Sequence, residues 1–375
     1  MSAVTYHLLT EAEPFSEFTG GAISRWAGNI LHGKSQSVVV CASADESWGL
    51  ARKSIHQLSA MMTYKRVRRR LQHLPWQLHR RVIQRMVRPL ICLVRPGDIV
   101  WIHNRPEFAV AMTPLIHSAG GRVVLHLHNS HLVKGPEQLM RQIQVDRLVF
   151  VSSFLHSQAW NKFPNLGICS VVHNGADPSI FYPASGPART SGKTTVLFAG
   201  RLVEEKGVHV LLDAMRLLEK QKVPLQAHIV GSAHFGPERE TGYTRGLKAS
   251  KPANVEFLPY CSGASLGDLF RQADIFCSPS IWDEPFGLVN VEALACALPV
   301  VSTNSGGARE IFAHGGGILV ERGSAIQLAS ALRRLAEDRE LRTQLGEQGY
   351  ASFLQRFTWA HARRQVEQIE QDLCA

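Results

Sequence analysis

Two carboxylates at a fixed spacing are the first residues of this chain whose types could do chemistry. Glu284 and Glu292 lie in the segment EPFGLVNVEALA, which follows an apolar run at residues 275–277. The apolar run predicts a buried strand, and Pro285 predicts that a helix begins directly after the first carboxylate. The two carboxylates would then lie about two helical turns apart on nearly one face. Carboxylates accept hydrogen bonds from hydroxyls, and amides at a helix N-terminus bind anions, so the segment suits a phosphorylated polyol.

A second segment places two cations at the end of another predicted strand. Residues 194–200 are mostly apolar and end at a glycine, and Arg201 and Lys206 follow in a loop before the next helix. A guanidinium and an ammonium in one loop can both bind the oxygens of a diphosphate. Gly20 and Gly21 precede the first predicted helix and could bring amides to a phosphate, although a plain loop explains a glycine pair as well.

Two loops after predicted strands carry the pair His-Asn. They lie in the stretches 98–106 and 122–129. Because side chains alternate along a strand, His126 and His128 share one face, and His128 lies nearer the carboxyl end. Ligands of open α/β sheets bind beyond those ends, so we expect His128 to line the binding cleft.

The elements that must position these residues alternate between short apolar runs and helical patterns. This alternation predicts an α/β fold, and 375 residues are enough for two domains. Residues 183–193 are rich in proline, glycine and serine, which predicts a linker. We therefore expect an N-terminal domain at 1–182, a C-terminal domain at 194–355 and a last helical segment at 356–375.

The formal net charge of +10 is concentrated in one basic segment, residues 52–88. Two amphipathic helices are predicted there, divided by Pro75, with arginines between the apolar positions. One interpretation is a solvated face on helices that pack against the sheet. The other is a surface that binds anionic lipid or the phosphates of a glycolipid. The sequence leaves both open.

Several classes of protein are disfavoured by the composition. Seven cysteines without paired spacing favour reduced, mostly buried thiols and a cytoplasmic location. The N-terminus does not resemble a signal peptide, and no apolar run reaches the ~20 residues of a membrane span, so contact with a bilayer would be peripheral. No Asp-x-Asp metal motif follows a predicted strand, so we expect neither a metal nor another cofactor.

The paired-glutamate segment closely resembles that of retaining nucleotide-sugar glycosyltransferases, in the form found in bacterial family 4. The segment GRLVEEKG at 200–207 matches the pattern GRLvxxKG of the same family. The two His-Asn loops resemble a subgroup found among lipopolysaccharide-core and spore-coat glycosyltransferases. The resemblance covers nearly the whole chain and is weakest at 43–95.

This resemblance implies the GT-B architecture, in which two Rossmann-like domains face each other across a cleft and the last helix crosses back to the first. The cations would neutralise the leaving diphosphate, Glu292 would bind the ribose, and Glu284 and His128 would hold the sugar. The expected catalytic residues are His128, Arg201, Lys206 and Glu284. The expected donor-binding residues are Gly20, Gly21, Arg201, Lys206, Glu284, Phe286, Gly287, Leu288 and Glu292.

The expected reaction is metal-independent, retaining transfer of a hexose or N-acetylhexosamine from a nucleotide sugar. Resemblance favours UDP-N-acetylglucosamine as donor, then UDP-glucose. The acceptor would be a lipopolysaccharide core or a related surface glycan at the inner membrane, with no role for nucleic acid. Two alternatives remain: a nucleotide-sugar epimerase or hydrolase, and a polyanion-binding protein with a vestigial transferase site.

Overall fold

The structure is a computed structural model that describes residues 3–17, 21–45, 48–50, 54–71, 73–184, 192–233 and 240–375. The chain divides into two compact units. The first unit contains Met1–His173 and Ala362–Ala375, and the second contains Asn174–His361.

A parallel sheet forms the centre of the first unit. Its strands are β1 (Thr5–Leu8), β2 (Ser37–Cys41), β3 (Ile55–Gln57), β4 (Ile99–His103), β5 (Arg122–Leu127), β6 (Arg147–Phe150) and β7 (Cys169–Val171). They are ordered β3-β2-β1-β4-β5-β6-β7. Sheets with helices on both faces bury both sides of their strands, so β4 and β5 are mostly apolar. The short edge strand β3 was not predicted.

Helices connect the parallel strands of the first unit. They are α1 (Ala22–Leu31), α2 (Ser59–Leu71), α3 (Trp76–Ile91), α4 (Pro106–Ser118), α5 (His131–Lys134), α6 (Glu137–Met140) and α7 (Ser153–Lys162). Pro75 caps α3, as the sequence predicts. Leu78, in the first turn of α3, is exposed, because the buried face of the helix is formed by Ile83, Met86, Val87 and Leu90.

The second unit repeats this arrangement. Its strands are β8 (Thr194–Ala199), β9 (Leu225–Val230), β10 (Val255–Leu258), β11 (Ile275–Ser278), β12 (Val300–Thr303) and β13 (Gly317–Val320). Its helices are α8 (Val208–Lys220), α9 (Gly242–Ala249), α10 (Gly263–Gln272), α11 (Leu288–Ala295), α12 (Ala308–Ile311), α13 (Ala325–Glu337) and α14 (Arg339–Arg356), and α15 (Trp359–Cys374) ends the chain. The parallel strands are ordered β10-β9-β8-β11-β12-β13. The predicted pair of Rossmann-like α/β sheets is therefore confirmed.

Both sheets reverse their strand order at one place. In the first sheet this is between β1 and β4, and in the second it is between β8 and β11. Loops that leave neighbouring strands at such a point diverge to opposite faces, which opens a crevice for ligands at the carboxyl ends. The segments that carry the candidate residues follow these strands.

The boundary between the units differs from the predicted end of the first domain at residue 182. Residues 174–182 pack on α10 instead. The ring of Phe181 lies 5.3 Å from that of Phe270, and Arg271 Nη1 donates to the carbonyl of Ile180 at 2.8 Å. Most of the predicted linker, 185–191, lies outside the described residues.

The last helix begins at Trp359, and its residues from Ala362 onward belong to the first unit. Arg363 Nη2 donates to the carbonyl of Asn29, and Lys34 Nζ donates to a carboxylate oxygen of Glu370 at 3.2 Å. Polar contacts therefore join the end of the chain to its first helix.

The cysteines are less buried than the sequence suggests. Cys41, Cys277 and Cys296 are buried, whereas Cys92 and Cys374 are exposed. Across the described ranges, no helix combines the length and the apolar character that a membrane crossing requires.

Candidate functional site

Glu284 is the centre of a polar cluster in the second unit. It lies in the loop between β11 and α11 and is buried. Its Oε1 atom accepts hydrogen bonds from Lys206 Nζ, from Ser280 Oγ at 3.0 Å and from Trp282 Nε1 at 3.0 Å. The structure thus brings together two of the predicted residues, Lys206 and Glu284, from the two loops that flank the reversal of strand order.

The charge of this carboxylate depends on its partners. Burial opposes ionisation of Glu284, but the ammonium of Lys206 and the hydrogen bonds from Lys206, Trp282 and Ser280 outweigh it. The pKa of Glu284 is therefore lower than its usual value, and the side chain is an anion at neutral pH. Since all three donors share Oε1, Oε2 has no donor among the residues that the structure describes and can accept one from a ligand.

Backbone contacts hold the Lys206 loop against the Glu284 loop. The amide of Ile281 donates to the carbonyl of Glu205 at 2.9 Å. Gly207 has a φ of +69°, and a Cβ there would lie 2.0 Å from the carbonyl oxygen of Pro279. Only glycine allows both this backbone conformation and this close approach.

The glycine turn after β12 supports the same carboxylate from another side. The amide of Gly307 donates to the carbonyl of Glu284 at 2.8 Å. Gly306 has a φ of +55°, and a Cβ there would lie 2.1 Å from the same oxygen. Three loops at the carboxyl end of the second sheet therefore fix the backbone at Glu284.

The other predicted residues of the second unit lie on the same two strand-loop-helix segments. Arg201 is exposed just after β8, and Glu292 is buried within α11. The helix was predicted to open at Pro285, which is wrong, because Gly287 has a left-handed φ of +94° and α11 begins at Leu288.

A group of histidines lies in the first unit, where the strand order reverses. His7 Nδ1 is 3.3 Å from His103 Nε2, and His103 Nδ1 is 3.1 Å from His128 Nε2. We call His7, His103 and His128 the histidine chain. It runs from β1 through β4 to the residue after β5.

Asn104 fixes the loop at one end of the histidine chain. Its left-handed φ of +58° is uncommon for a residue with a side chain. The backbone amide of Asn104 donates to the carbonyl of His126 at 2.8 Å. Its side-chain Oδ1 accepts from the backbone amide of His128 at 2.9 Å. The Asn of the HNRP loop thus positions the backbone that carries His128.

Burial keeps these imidazoles neutral. It lowers the pKa of His7, with help from Lys34, and that of His128 to about 3. Burial and the neighbouring histidines also lower the pKa values of His103 and His126 well below the usual range. Trp26 and Trp101 pack against the group and exclude water.

Three of these rings offer an arrangement that a metal ion could use. Ligand atoms of His103, His126 and His128 all lie within 4.8 Å of one another. Neutral imidazoles are common ligands of zinc and other transition metals. The expectation that no metal takes part remains a prediction.

The predicted glycine pair is described only in part, since Gly20 lies outside the described residues. The backbone amides of Gly21 and Ile23 lie near the carboxyl group of Glu13 and favour its ionised form. Burial raises the pKa of Glu13 to about 7, although these amides and two nearby arginines oppose the rise. The role of Gly20 and Gly21 in binding a phosphate remains a prediction.

The basic segment, described from residue 54 onward apart from residue 72 and the side chain of residue 69, serves two purposes. Arg68 Nη1 donates to Glu11 at 2.8 Å, and Lys65 Nζ donates to the carbonyl of Ala12, so these cations stabilise the fold. Arg81, Arg85 and Arg88 are exposed and line a groove of about 510 Å³. The three guanidinium groups make this groove an exposed cationic surface, and Arg66 and Arg70 of the same segment are exposed as well.

Sequence reasoning missed several partners. Ser280 and Trp282 precede Glu284 by four and two residues, and their polar side chains in a conspicuous loop were the available signal. It also missed a buried ion pair in which Arg105 Nε and Nη2 donate to Glu11 at 2.8 and 2.7 Å. No local pattern joins residues so distant in the chain.

Comparison with known proteins agrees with this geometry. Residues 186–352 match the family model of Glycosyl transferases group 1. The putative glycosyltransferase YtcC of Bacillus subtilis is 27% identical over 326 residues, covering 80% of this chain and 78% of that protein. Spore coat protein SA of the same organism is 26% identical over 284 residues, covering 70% of this chain and 75% of that protein.

Solved structures support the fold along the whole chain. Anabaena HepE in complex with UDP and glucose has a TM-score of 0.75 at 20% identity, covering 98% of this chain and 99% of that one. Sucrose-phosphate synthase of Thermosynechococcus elongatus has a TM-score of 0.77 at 18% identity, covering 99% of each chain. Residues 186–352 of this chain thus match the glycosyltransferase group 1 family, and the chain has the fold of two Rossmann-like domains that is found in GT-B glycosyltransferases.

Proposed function

We propose that this protein is a retaining glycosyltransferase of family 4 that takes a hexose or N-acetylhexosamine from a uridine diphosphate sugar. The observation that carries the proposal is the contact between Lys206 and Glu284, supported by Trp282 and Ser280, at the reversal of strand order. It places a cation for phosphate beside an anion for hydroxyls. The family match of residues 186–352 supports the reaction class.

Each residue of the second unit has a separate role in this proposal. Lys206 and Arg201 neutralise the leaving diphosphate, with amides at Phe286, Gly287 and Leu288 as further donors. Glu292 accepts from the ribose hydroxyls. Glu284 accepts from sugar hydroxyls through Oε2, and the bound diphosphate competes with Oε1 for the ammonium of Lys206.

In the first unit, His128 binds the sugar. The acceptor hydroxyl attacks on the face from which the phosphate leaves, and a phosphate oxygen takes its proton, so the anomeric configuration is retained. The backbone amides at Gly20 and Gly21 are further donors to the diphosphate in this proposal. In this proposed course the phosphate oxygen acts as the base and the protein cations neutralise the leaving group. Neither a protein base nor a metal ion is then needed.

The donor and acceptor are proposed as classes. UDP-N-acetylglucosamine remains the favoured donor. UDP-glucose is the next choice, and HepE was also solved in complex with UDP-glucose. The acceptor is a lipopolysaccharide core or a related anionic surface glycan in the cytoplasm at the inner membrane. Arg81, Arg85 and Arg88 would bind its phosphates or anionic lipid.

A thermal-shift panel of nucleotide sugars tests the donor. The proposal expects one UDP-sugar to raise Tm by several degrees and the Glu292→Ala variant to lose that shift. Incubation of the stabilising donor with lipopolysaccharide core should then release UDP only when acceptor is present. Release of free sugar without acceptor would instead identify a hydrolase, and a shift with every polyanion would identify a polyanion-binding protein.

A further inference from the structure

Three hydrogen-bond donors meet on one oxygen of the buried carboxylate of Glu284. Oε1 accepts from Lys206 Nζ, from Ser280 Oγ at 3.0 Å and from Trp282 Nε1 at 3.0 Å. An ionised carboxylate has about four lone-pair sites on its two oxygens, so about two belong to Oε1. The donors are therefore one more than this atom holds in good geometry, and one of them can leave while Oε1 remains hydrogen-bonded.

The lysine is the donor that can leave most easily. Lys206 comes from a different loop than Glu284, and its side chain is 19% exposed. Its ammonium lies at the end of a flexible four-carbon stem with three rotatable donors. A diphosphate beside this loop would offer the ammonium several charged oxygens in place of one shared carboxylate oxygen.

The backbone of the Glu284 loop holds the other two donors in place. Ser280 and Trp282 precede the carboxylate by four and two residues. Thr303 Oγ1 donates to the carbonyl of Ser280 at 2.7 Å, and Ser305 Oγ donates to the carbonyl of Trp282 at 3.2 Å. These two donors therefore remain beside the carboxylate when the lysine moves.

Trp282 contacts both members of the ion pair. Its Nε1–H donates to Glu284, and Lys206 Nζ lies over its ring at 5.8 Å from the centroid, which is within the range of a cation–π contact. Movement of the ammonium to a phosphate ends the contact with the ring but leaves the N–H with its acceptor. The indole can therefore bond the carboxylate with or without the lysine.

Departure of the lysine would leave a buried carboxylate beside an anionic ligand. Burial by itself raises the pKa of Glu284, whereas the charge and hydrogen bond of Lys206 and then the hydrogen bonds of Trp282 and Ser280 lower it. A bound diphosphate adds negative charge, which disfavours the anion further. Among the described residues, the indole N–H and the serine O–H are the donors that would still stabilise it.

We infer that Trp282 and Ser280 are positioning residues that hold Glu284 in place, as an anion, after the diphosphate of the donor has taken the ammonium of Lys206. Glu284 then still accepts from the sugar hydroxyls through Oε2. This inference rests on the proposed function, because the diphosphate of the donor is the group that displaces the lysine.

Other charged side chains lie on the loops and helices that adjoin Glu284. They are Arg201, Glu204, Glu205, Asp283, Glu292, Arg309 and Glu310. Asp283 pairs with Arg322, and Arg309 donates to Asn304. A substitution of Trp282 or Ser280 leaves all these charges in the protein, so a change in the ionisation of Glu284 reports the lost donor.

Carbon-13 NMR of the carboxyl groups tests the inference in the whole protein. Protein with glutamate labelled at Cδ is titrated with and without UDP, and Glu284→Gln assigns the signal. In the UDP complex, the titration midpoint of Glu284 should be about 1 to 2 pH units higher in Trp282→Phe than in the unaltered protein. The difference should be smaller without UDP, where Lys206 still donates. Equal midpoints in the two UDP complexes, or equal differences with and without UDP, overturn the inference.

Kinetics provide a second readout. With saturating acceptor, kcat reports ionisations of the donor complex, and kcat/KM for the donor reports those of the free protein. The acid limb of kcat should move to higher pH in Trp282→Phe, and by more than that of kcat/KM. Trp160→Phe removes an indole N–H from the exposed surface of α7 and is the control, with both limbs unchanged. A lowered Tm with an unmoved acid limb in Trp282→Phe would show a merely structural role.

The two proposals can fail separately. A protein that binds UDP but transfers no sugar would refute the proposed function, and the NMR titration would still decide the inference. A protein that binds no nucleotide would refute both. If Trp282→Phe does not fold, Ser280→Ala removes the other donor and should raise the midpoint in the UDP complex, and an unshifted midpoint in that variant overturns the inference.

Discussion

The two sheets have the same strand reversal but treat buried charge in opposite ways. In the second unit, Glu284 is buried and remains an anion because a lysine, a serine and an indole donate to it. In the first unit, four histidines are buried beside tryptophans and are neutral. Burial alone disfavours charge in both places, so the partners decide.

The comparison also divides the chemistry. An ionised carboxylate beside an ammonium suits the phosphate and hydroxyls of a donor, where charge develops on the leaving group. A neutral imidazole suits a single hydrogen bond to a sugar. The first unit also contains a buried ion pair of Glu11 with Arg105, in which Glu11 accepts two hydrogen bonds from Arg105 and another from Arg68. This pair is the exception among the buried groups of the first unit that are discussed above, because both of its members remain charged.

The largest expected effect is a loss of stability when the ion pair of Glu11 with Arg105 is broken. Arg105→Ala leaves the carboxylate of Glu11 buried with only Arg68, and it should lower the free energy of unfolding by about 3–5 kcal/mol. Urea unfolding followed by circular dichroism measures it. The control is Arg141→Ala, which breaks an exposed pair with Glu137 and should change stability by about 0–1 kcal/mol. Equal losses of stability for the two variants would mean that the buried ion pair stabilises the fold no more than the exposed one does.

Lys206→Ala tests the charged cluster of the second unit. Loss of the cation that stabilises the leaving diphosphate should lower kcat by about 10²- to 10³-fold. Steady-state kinetics with saturating acceptor measure it, and Lys220→Ala at the exposed end of α8 is the control. A fully active Lys206→Ala enzyme would show that Lys206 does not stabilise the leaving diphosphate.

Glu292→Ala should act on the donor and not on the chemical step. Hydrogen bonds to a charged group are worth about 1.5–3 kcal/mol, so the donor KM should rise roughly 10- to 100-fold with kcat little changed. Glu219→Ala, an exposed carboxylate on α8, is the control. An unchanged donor KM would show that Glu292 does not bind the ribose.

The buried histidines should make the stability of the protein depend on pH. Folding lowers the pKa of His7 from 6.5 to about 3, so below pH 6.5 the unfolded chain binds more protons than the folded one. Stability should therefore fall by up to about 1.4 kcal/mol per pH unit for each such histidine as pH falls from 6.5 towards 3.

His7→Phe keeps a ring against Trp101 and removes one of these groups. Its Tm should fall less steeply between pH 7 and pH 5 than that of the unaltered protein, in thermal scans at matched ionic strength. Glu13, whose raised pKa acts with the opposite sign, is present in both proteins and cancels. Parallel curves would mean that folding does not lower the pKa of His7.

The sequence predicted most elements of the fold because they are buried on both faces or bounded by proline and glycine. The apolar runs at 275–277 and 194–200 form β11 (Ile275–Ser278) and β8 (Thr194–Ala199), and Pro75 divides α2 from α3. It misplaced the start of α11 because proline is typical of a first helical turn, whereas the left-handed backbone of Gly287 ends the loop later.

Residue types and local spacing are properties of the sequence, and they determined the two parallel sheets, the motif residues and the carboxyl ends at which those residues lie. The pairing of Lys206 with Glu284, the histidine chain and the ion pair of Glu11 with Arg105 were decided only by the tertiary structure. Each joins side chains from separate strands or from the loops that follow them, and only packing of the sheet sets which atoms meet. The same packing sets the balance between burial and hydrogen bonding, and thus decides which of the buried groups are charged.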